Sequence, residues 1–82
     1  RHPALTAAAR GTAAGAETSR ALTEARRALA VVRVLERHPL GVRTAQLARE
    51  SGLAEGELRP LVAMLCEEEY AVRPAPGVYG RG

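Results

Sequence analysis

The 82-residue sequence contains no lysine, aspartate, asparagine, isoleucine, phenylalanine or tryptophan, and it has one cysteine, Cys66. A single cysteine excludes an internal disulfide and provides no metal-ligand spacing. Neither His2 nor His38 has a carboxylate or cysteine partner at a useful spacing, and no Ser–His arrangement is present. We therefore predict that the chain is not an enzyme and that it binds no metal and no cofactor.

Long hydrophobic runs are also absent. No apolar stretch approaches the roughly 18 residues that a transmembrane helix needs, and the start lacks the continuous core of a signal peptide. We expect a cytoplasmic protein that has no membrane partner. A chain of this size buries only about 60% of the surface that its unfolded form exposes. We therefore expect a partner subunit, DNA or a larger parent chain to complete the core.

The charge is unevenly distributed along the chain. The formal net charge is +3; residues 1–43 contribute eight arginines and three glutamates (+5), and residues 44–82 contribute four arginines and six glutamates (−2). Proteins that bind nucleic acid are usually basic where they meet phosphate. The mildly acidic second half therefore counts against nucleic-acid binding by that half.

The first half of the chain predicts one long amphipathic helix. Residues 1–17 form an alanine-rich tail or a helical extension that packs on another subunit, and residues 18–82 form the domain. Thr18 or Ser19 is a suitable N-cap, and Pro39 disfavours helix at the residue before it, so the helix is expected over residues 20–37. Helical spacing places five residues on one apolar face: Leu22, Ala25, Leu29, Val32 and Leu35.

The second half predicts two shorter helices and a hairpin. Thr44 is a natural N-cap for a helix over residues 45–51, and Gly52 can adopt the left-handed conformation that ends it. A third helix is expected over residues 56–69, and strands over 70–73 and 78–81 are joined by a loop at 74–77. The predicted fold class is mainly α: a three-helix winged helix-turn-helix with a C-terminal β-hairpin wing. The predicted core packs Leu58, Leu61 and Leu65 against Leu29, Val32 and Leu35.

Candidate DNA contacts follow from this arrangement. Arg43 and Arg59 are placed to bind phosphate, and Arg73 and Arg81 flank the wing, where arginine suits a narrow minor groove. Glu57 would repel phosphate unless it accepts a hydrogen bond from a cytosine amino group. The full set of predicted DNA-binding residues is Arg43, Thr44, Glu57, Arg59, Arg73 and Arg81. Solvated surface side chains are the alternative interpretation for the arginines.

The order of motifs resembles the N-terminal winged-helix domain of the IclR family of bacterial transcription regulators. The resemblance covers residues 27–82 and rests on Arg27–Leu29 with Val34–Leu35, Gln46–Ala48, Gly52–Leu53, Leu61, Leu65, Tyr70–Val72 and Tyr79–Gly82. It implies a dimeric regulator whose second motif helix enters the major groove and whose wing touches the backbone or minor groove. Such families usually place Ser or Thr near positions 56 and 57 and often Arg near position 60, where this chain has Gly56, Glu57 and Pro60.

The combined interpretation is a DNA-binding domain of a bacterial transcription regulator. Its expected partners are double-stranded DNA and a second copy of the chain, joined through the N-terminal helices. Two alternatives stay open. One is a winged helix that has lost DNA readout and acts as a protein–protein interaction or dimerisation module. The other is an accessory DNA-contacting domain of a larger translocase or replication protein.

Overall fold

The computed structural model describes residues 3–82, with side chains from residue 14 onward. Three helices and three strands follow one another along the chain, in an order that confirms the predicted winged helix-turn-helix class. The elements are α1 (Pro3–Arg37), β1 (Val42–Arg43), α2 (Thr44–Ser51), α3 (Glu55–Glu67), β2 (Ala71–Ala75) and β3 (Val78–Arg81).

The first helix also includes most of residues 1–17, for which a tail or a helical extension was predicted. We expected α1 to begin after Thr18 or Ser19, but both residues lie inside a helix that starts at Pro3. Alanine has the highest helix propensity, and hydroxyl side chains are accommodated in a helix when they bond to the preceding turn, as Thr23 Oγ1 does with the carbonyl of Ser19 at 2.9 Å. The predicted end at Arg37, two residues before Pro39, is confirmed.

The turn between α2 and α3 forms as the sequence predicts. Gly52 adopts the left-handed conformation (φ 75°) and ends α2, and the Leu53 N–H donates to the carbonyl of Ala48 at 2.9 Å. The predicted N-cap of α2 is wrong by one residue. Arg43 occupies that position without a side-chain bond, and Thr44 is the first helical residue.

The third helix begins one residue and ends two residues earlier than predicted. Pro60 lies in its second turn, where the missing N–H leaves the carbonyl of Gly56 without its usual intrahelical donor. At the other end, Glu69 has a positive φ of 69°, so a glutamate occupies a conformation that glycine usually adopts. The Tyr70 N–H donates to the carbonyl of Leu65 at 2.8 Å and turns the chain into β2.

The sheet is antiparallel with strand order β1-β3-β2. The predicted four-residue loop at 74–77 is wrong, because β2 continues through Pro74 to Ala75 and leaves a turn at residues 76–77. Pro74 is tolerated since β2 is an edge strand, and the register shifts between Val72 and Ala75. β1 adds a short third strand, in which Val42 pairs with Tyr79.

The core draws on every element except β3, whose partly buried Tyr79 packs against it. Ten residues form it: Val31, Val34, Leu35, Val42, Leu47, Ala48, Leu58, Val62, Leu65 and Ala71. The predicted set is therefore partly wrong: Leu35, Leu58 and Leu65 are buried, Val32 and Leu61 are only partly buried, and Leu29 is 54% exposed. The face of α1 that enters the core is centred on Val31, Val34 and Leu35 rather than on the stripe that contains Leu29.

Candidate nucleic-acid interface

The turn of the wing is attached to the start of α2. Both the N–H and the hydroxyl of Thr44 donate to the carbonyl of Gly77, at 3.0 and 3.1 Å. Arg43 precedes Thr44 and pairs with Val78, the residue directly after the turn. Arg73 lies in β2 shortly before the turn, and both arginines are exposed. Three of the predicted DNA contacts, Arg43, Thr44 and Arg73, are therefore brought to the wing.

The outer face of α3 is open and carries few large side chains. Leu58, Val62 and Leu65 point into the core, while Gly56, Arg59, Pro60 and Ala63 are exposed. Arg59 is the one cationic residue in α3, and its side chain is 70% exposed. Its Nη2 lies 3.3 Å from Oε1 of Glu55, one helical turn earlier. The face can therefore present a single guanidinium whose orientation is biased by a carboxylate.

Glu57 occupies a different environment from the one that its sequence position suggested. Its Oε1 accepts a hydrogen bond from the Ala54 N–H at 3.0 Å, which caps the start of α3. Its Oε2 lies 3.3 Å from Nη2 of Arg27, on α1. The carboxylate thus joins α1 to the first turn of α3, and its charge is balanced locally. A hydrogen bond from a cytosine amino group to Glu57 stays a prediction.

Arg81 lies apart from the other predicted contacts. It pairs with Ala71, the first residue of β2, whereas the wing turn joins the last residue of β2 to the first residue of β3. Arg81 is exposed, but it is at the end of β3 that is farthest from the turn. Its contribution to DNA binding stays a prediction, and the geometry does not group it with Arg43 and Arg73.

A second polar cluster fixes α2 against the end of α1, and the sequence analysis did not identify it. Nε2 of His38 lies 2.9 Å and Nη2 of Arg37 lies 3.3 Å from Oε1 of Glu50, while Gln46 donates to Oε2 at 2.7 Å. The hydrogen bonds from His38 and Gln46 lower the pKa of Glu50 from 4.5 to about 2. Only the Gln46–Glu50 spacing of four residues was visible in the sequence.

One apolar face of α1 is not covered by the other residues that the structure describes. Leu22 and Leu29 are 52% and 54% exposed, although they lie on the stripe that the sequence predicts to be apolar. Beside them is an open groove of about 410 Å³, lined by Ala25, Ala28, Leu29, Val32, Leu65 and the exposed Tyr70. Contiguous exposed apolar surface is typical of interaction sites, so this face is a candidate for one.

Three helices, a tight α2–α3 turn and a hairpin wing define a winged helix-turn-helix protein, a class that places its second motif helix in DNA. A family profile for the IclR helix-turn-helix domain matches residues 25–75. The chain belongs to this family, so it is a DNA-binding helix-turn-helix domain of a transcription regulator. Comparisons with curated proteins and with solved structures give no match.

Two further findings concern other kinds of site. Among the described residues, no group of three or more His, Cys or Glu side chains is arranged to hold a metal ion. None of the helices in that part of the chain is long and apolar enough to cross a membrane.

Proposed function

We propose that this domain directs a bacterial transcription regulator to double-stranded DNA, with α3 in the major groove and the wing on the backbone or minor groove. The observation that carries the proposal is the attachment of the wing turn to the start of α2, the first helix of the motif whose second helix is α3. Thr44 holds that turn against α2, and Arg43 and Arg73 lie on either side of it. Arg59 projects from the adjoining motif helix.

The local pairing of charges weakens the main objection to this proposal. The half of the chain that contains α2, α3 and the wing has a net charge of −2, which disfavours phosphate. However, Glu57 is paired with Arg27, a residue of the basic half, and Glu55 is paired with Arg59. Both glutamates in the first turn of α3 thus have an arginine partner, while Arg43 and Arg73 remain exposed for phosphate.

Within this proposal the predicted contacts have separate roles. Arg43 and Arg73 neutralise phosphates beside the wing, and Arg59 faces the major groove. Thr44 positions the wing turn through its two bonds to Gly77. Arg81 is retained as a predicted contact that a variant below tests, and Glu57 is retained as a predicted contact.

The test is a fluorescence-anisotropy titration of random and GC-rich duplexes at two salt concentrations. Each phosphate contact contributes about 0.9 to the log–log salt slope, so we expect Arg43→Ala and Arg73→Ala each to lower the slope by about 0.9. Arg81→Ala is the matched control at the other end of β3, and the geometry predicts a smaller change. Absence of binding to either duplex at low salt would show that the domain does not bind DNA.

We also propose that the domain forms a homodimer through α1 and that it acts in the cytoplasm. The exposed Leu22 and Leu29 and the adjoining groove give a second copy an apolar surface to cover. A DNA-binding regulator benefits from a dimer because two half-sites then contribute to affinity. Burial of the α1 face also compensates for the small core of ten residues.

Sedimentation tests the homodimer. Deleting residues 1–17 should weaken self-association, and Leu29→Glu should weaken it further because a charge would be buried in the interface. Leu40→Glu is the matched control, since Leu40 is 97% exposed in the turn between α1 and β1. A monomer at high micromolar concentration, for the full chain and the variants alike, would contradict the homodimer.

The same apolar face favours the second candidate function, a protein–protein interaction module. In that case Leu29→Glu would abolish binding to a different protein and the DNA titration would show no binding. The DNA titration therefore distinguishes the two candidates.

A further inference from the structure

The exposed face of α3 carries small side chains, which would allow the helix to lie close to the base edges in the major groove of DNA. Gly56 has no side chain, and the space where a Cβ would lie is empty to 4 Å. Ala63, one turn after Arg59, is also small and exposed. Arg59 therefore stands between two small residues, three positions after Gly56 and four before Ala63. No other long hydrogen-bond donor lies on this face of α3.

The guanidinium of Arg59 is held on one side only. Its Nη2 donates to Oε1 of Glu55 at 3.3 Å, and the side chains of Arg59 and Glu55 are 70% and 49% exposed. A guanidinium has five N–H donors in a planar fork, so one bond to a carboxylate leaves the others available. The carboxylate beside the guanidinium also makes contact with a phosphate less favourable, because the two anions would repel each other.

We propose that Arg59 reads a guanine base and that Glu55 is the positioning residue that directs it to the base instead of the backbone. Arginine pairs with O6 and N7 of guanine through two parallel N–H donors, which is the commonest specific contact in the major groove. This inference rests on the proposed DNA-binding function and assigns its base preference. It differs from the prediction for Glu57, whose carboxylate is engaged by Ala54 and Arg27.

The experiment selects duplexes from a library with a randomised ten-base-pair segment and sequences the bound fraction. Wild type should enrich guanine at one position per half-site. Arg59→Lys keeps the charge but loses the fork, so we expect the guanine preference to fall about tenfold.

Comparing Glu55→Gln with Glu67→Gln separates the positioning role of Glu55 from the loss of a negative charge. Glu55→Gln frees Arg59 to bind phosphate, so we expect weaker guanine preference, tighter binding to random duplex and a salt slope steeper by about 0.9. Glu67→Gln removes the same charge at the other end of α3 and should leave the guanine preference and the slope unchanged. Unfolding curves for each variant establish that the domain is folded.

The possible results distinguish this inference from the proposed function. If wild type binds duplex DNA but Arg59→Lys keeps its guanine preference, Arg59 does not read guanine. If Glu55→Gln and Glu67→Gln behave alike, Glu55 does not position Arg59, although DNA binding stands. If no variant binds any duplex at low salt, the proposed function fails as well.

Discussion

Replacing Leu58 by alanine should destabilise the domain strongly, whereas the same change at Leu61 should not. Leu58 is fully buried at 0% exposure, and Leu61, three residues later, is only partly buried beside an open groove. Large-to-small changes in closed cores cost about 2–5 kcal/mol, since lost transfer energy is added to the cost of a cavity. A groove that is open to water leaves no closed cavity, so only part of the transfer term is lost.

We expect Leu58→Ala to lower the free energy of unfolding by about 3–4 kcal/mol, because the site is closed. For Leu61→Ala we expect a decrease of about 1 kcal/mol in the free energy of unfolding, which corresponds to the loss of one or two partly buried methylene groups. An 82-residue chain has a total stability of roughly 4–12 kcal/mol, so the first change is a large fraction of it.

Urea unfolding followed by circular dichroism, at one fixed protein concentration, measures both variants. If the free energy of unfolding falls with urea concentration at the same slope in both variants, both expose the same amount of surface on unfolding. If Leu61→Ala costs as much as Leu58→Ala, the face of α3 that enters the core has been assigned wrongly.

Three further predictions concern glutamates. Glu57→Ala should lower the free energy of unfolding by about 1–2 kcal/mol, since it removes a helix cap and a surface ion pair. Glu57→Gln should lower it less, because the amide oxygen can still accept the hydrogen bond of the cap. Urea unfolding measures both variants. The pKa of Glu50 is lowered from 4.5 to about 2, so the ionised carboxylate stabilises the folded domain fully above about pH 4.5, and this stabilisation is lost as the pH falls to about 2. Over this pH range the urea midpoint of Glu50→Gln should decline less than that of the wild type. An equal decline in both proteins would contradict this prediction. Glu69→Gly should raise stability by about 1 kcal/mol, since glycine adopts a positive φ without the cost that a side chain brings; a lower thermal midpoint would contradict this.

Local signals in the sequence were sufficient for the C-terminal ends of α1 and α2. Gly52 predicted the sharp end of α2, and Pro39 predicted the end of α1, because each restricts the backbone at its own position. The capping role of Glu57 was also visible in principle, as a glutamate at the third position of a helix. The Glu55–Arg59 pair follows the same logic, since residues four apart on a helix face each other.

The packing of α1 could not be predicted in this way. Residues 28–35 are apolar except for Arg33, so their periodicity does not choose between the face with Leu29 and the face with Val31 and Leu35. The choice depends on which face meets α2, α3 and the sheet. The same limit applies to the pair between Arg27 and Glu57, which are thirty residues apart and are brought together only by the tertiary fold.

A nuclear magnetic resonance titration of the backbone amides with a short duplex tests most directly whether α3 and the wing bind DNA. Amides at the surface that binds DNA should shift as duplex is added. We expect the largest shifts at Arg43, Gly56, Arg59 and Gly77. Small shifts are expected at Leu22 and Leu29, on the exposed apolar face of α1. No shifts at low salt, or shifts confined to the α1 face, would contradict the claim that α3 and the wing form the DNA-binding surface.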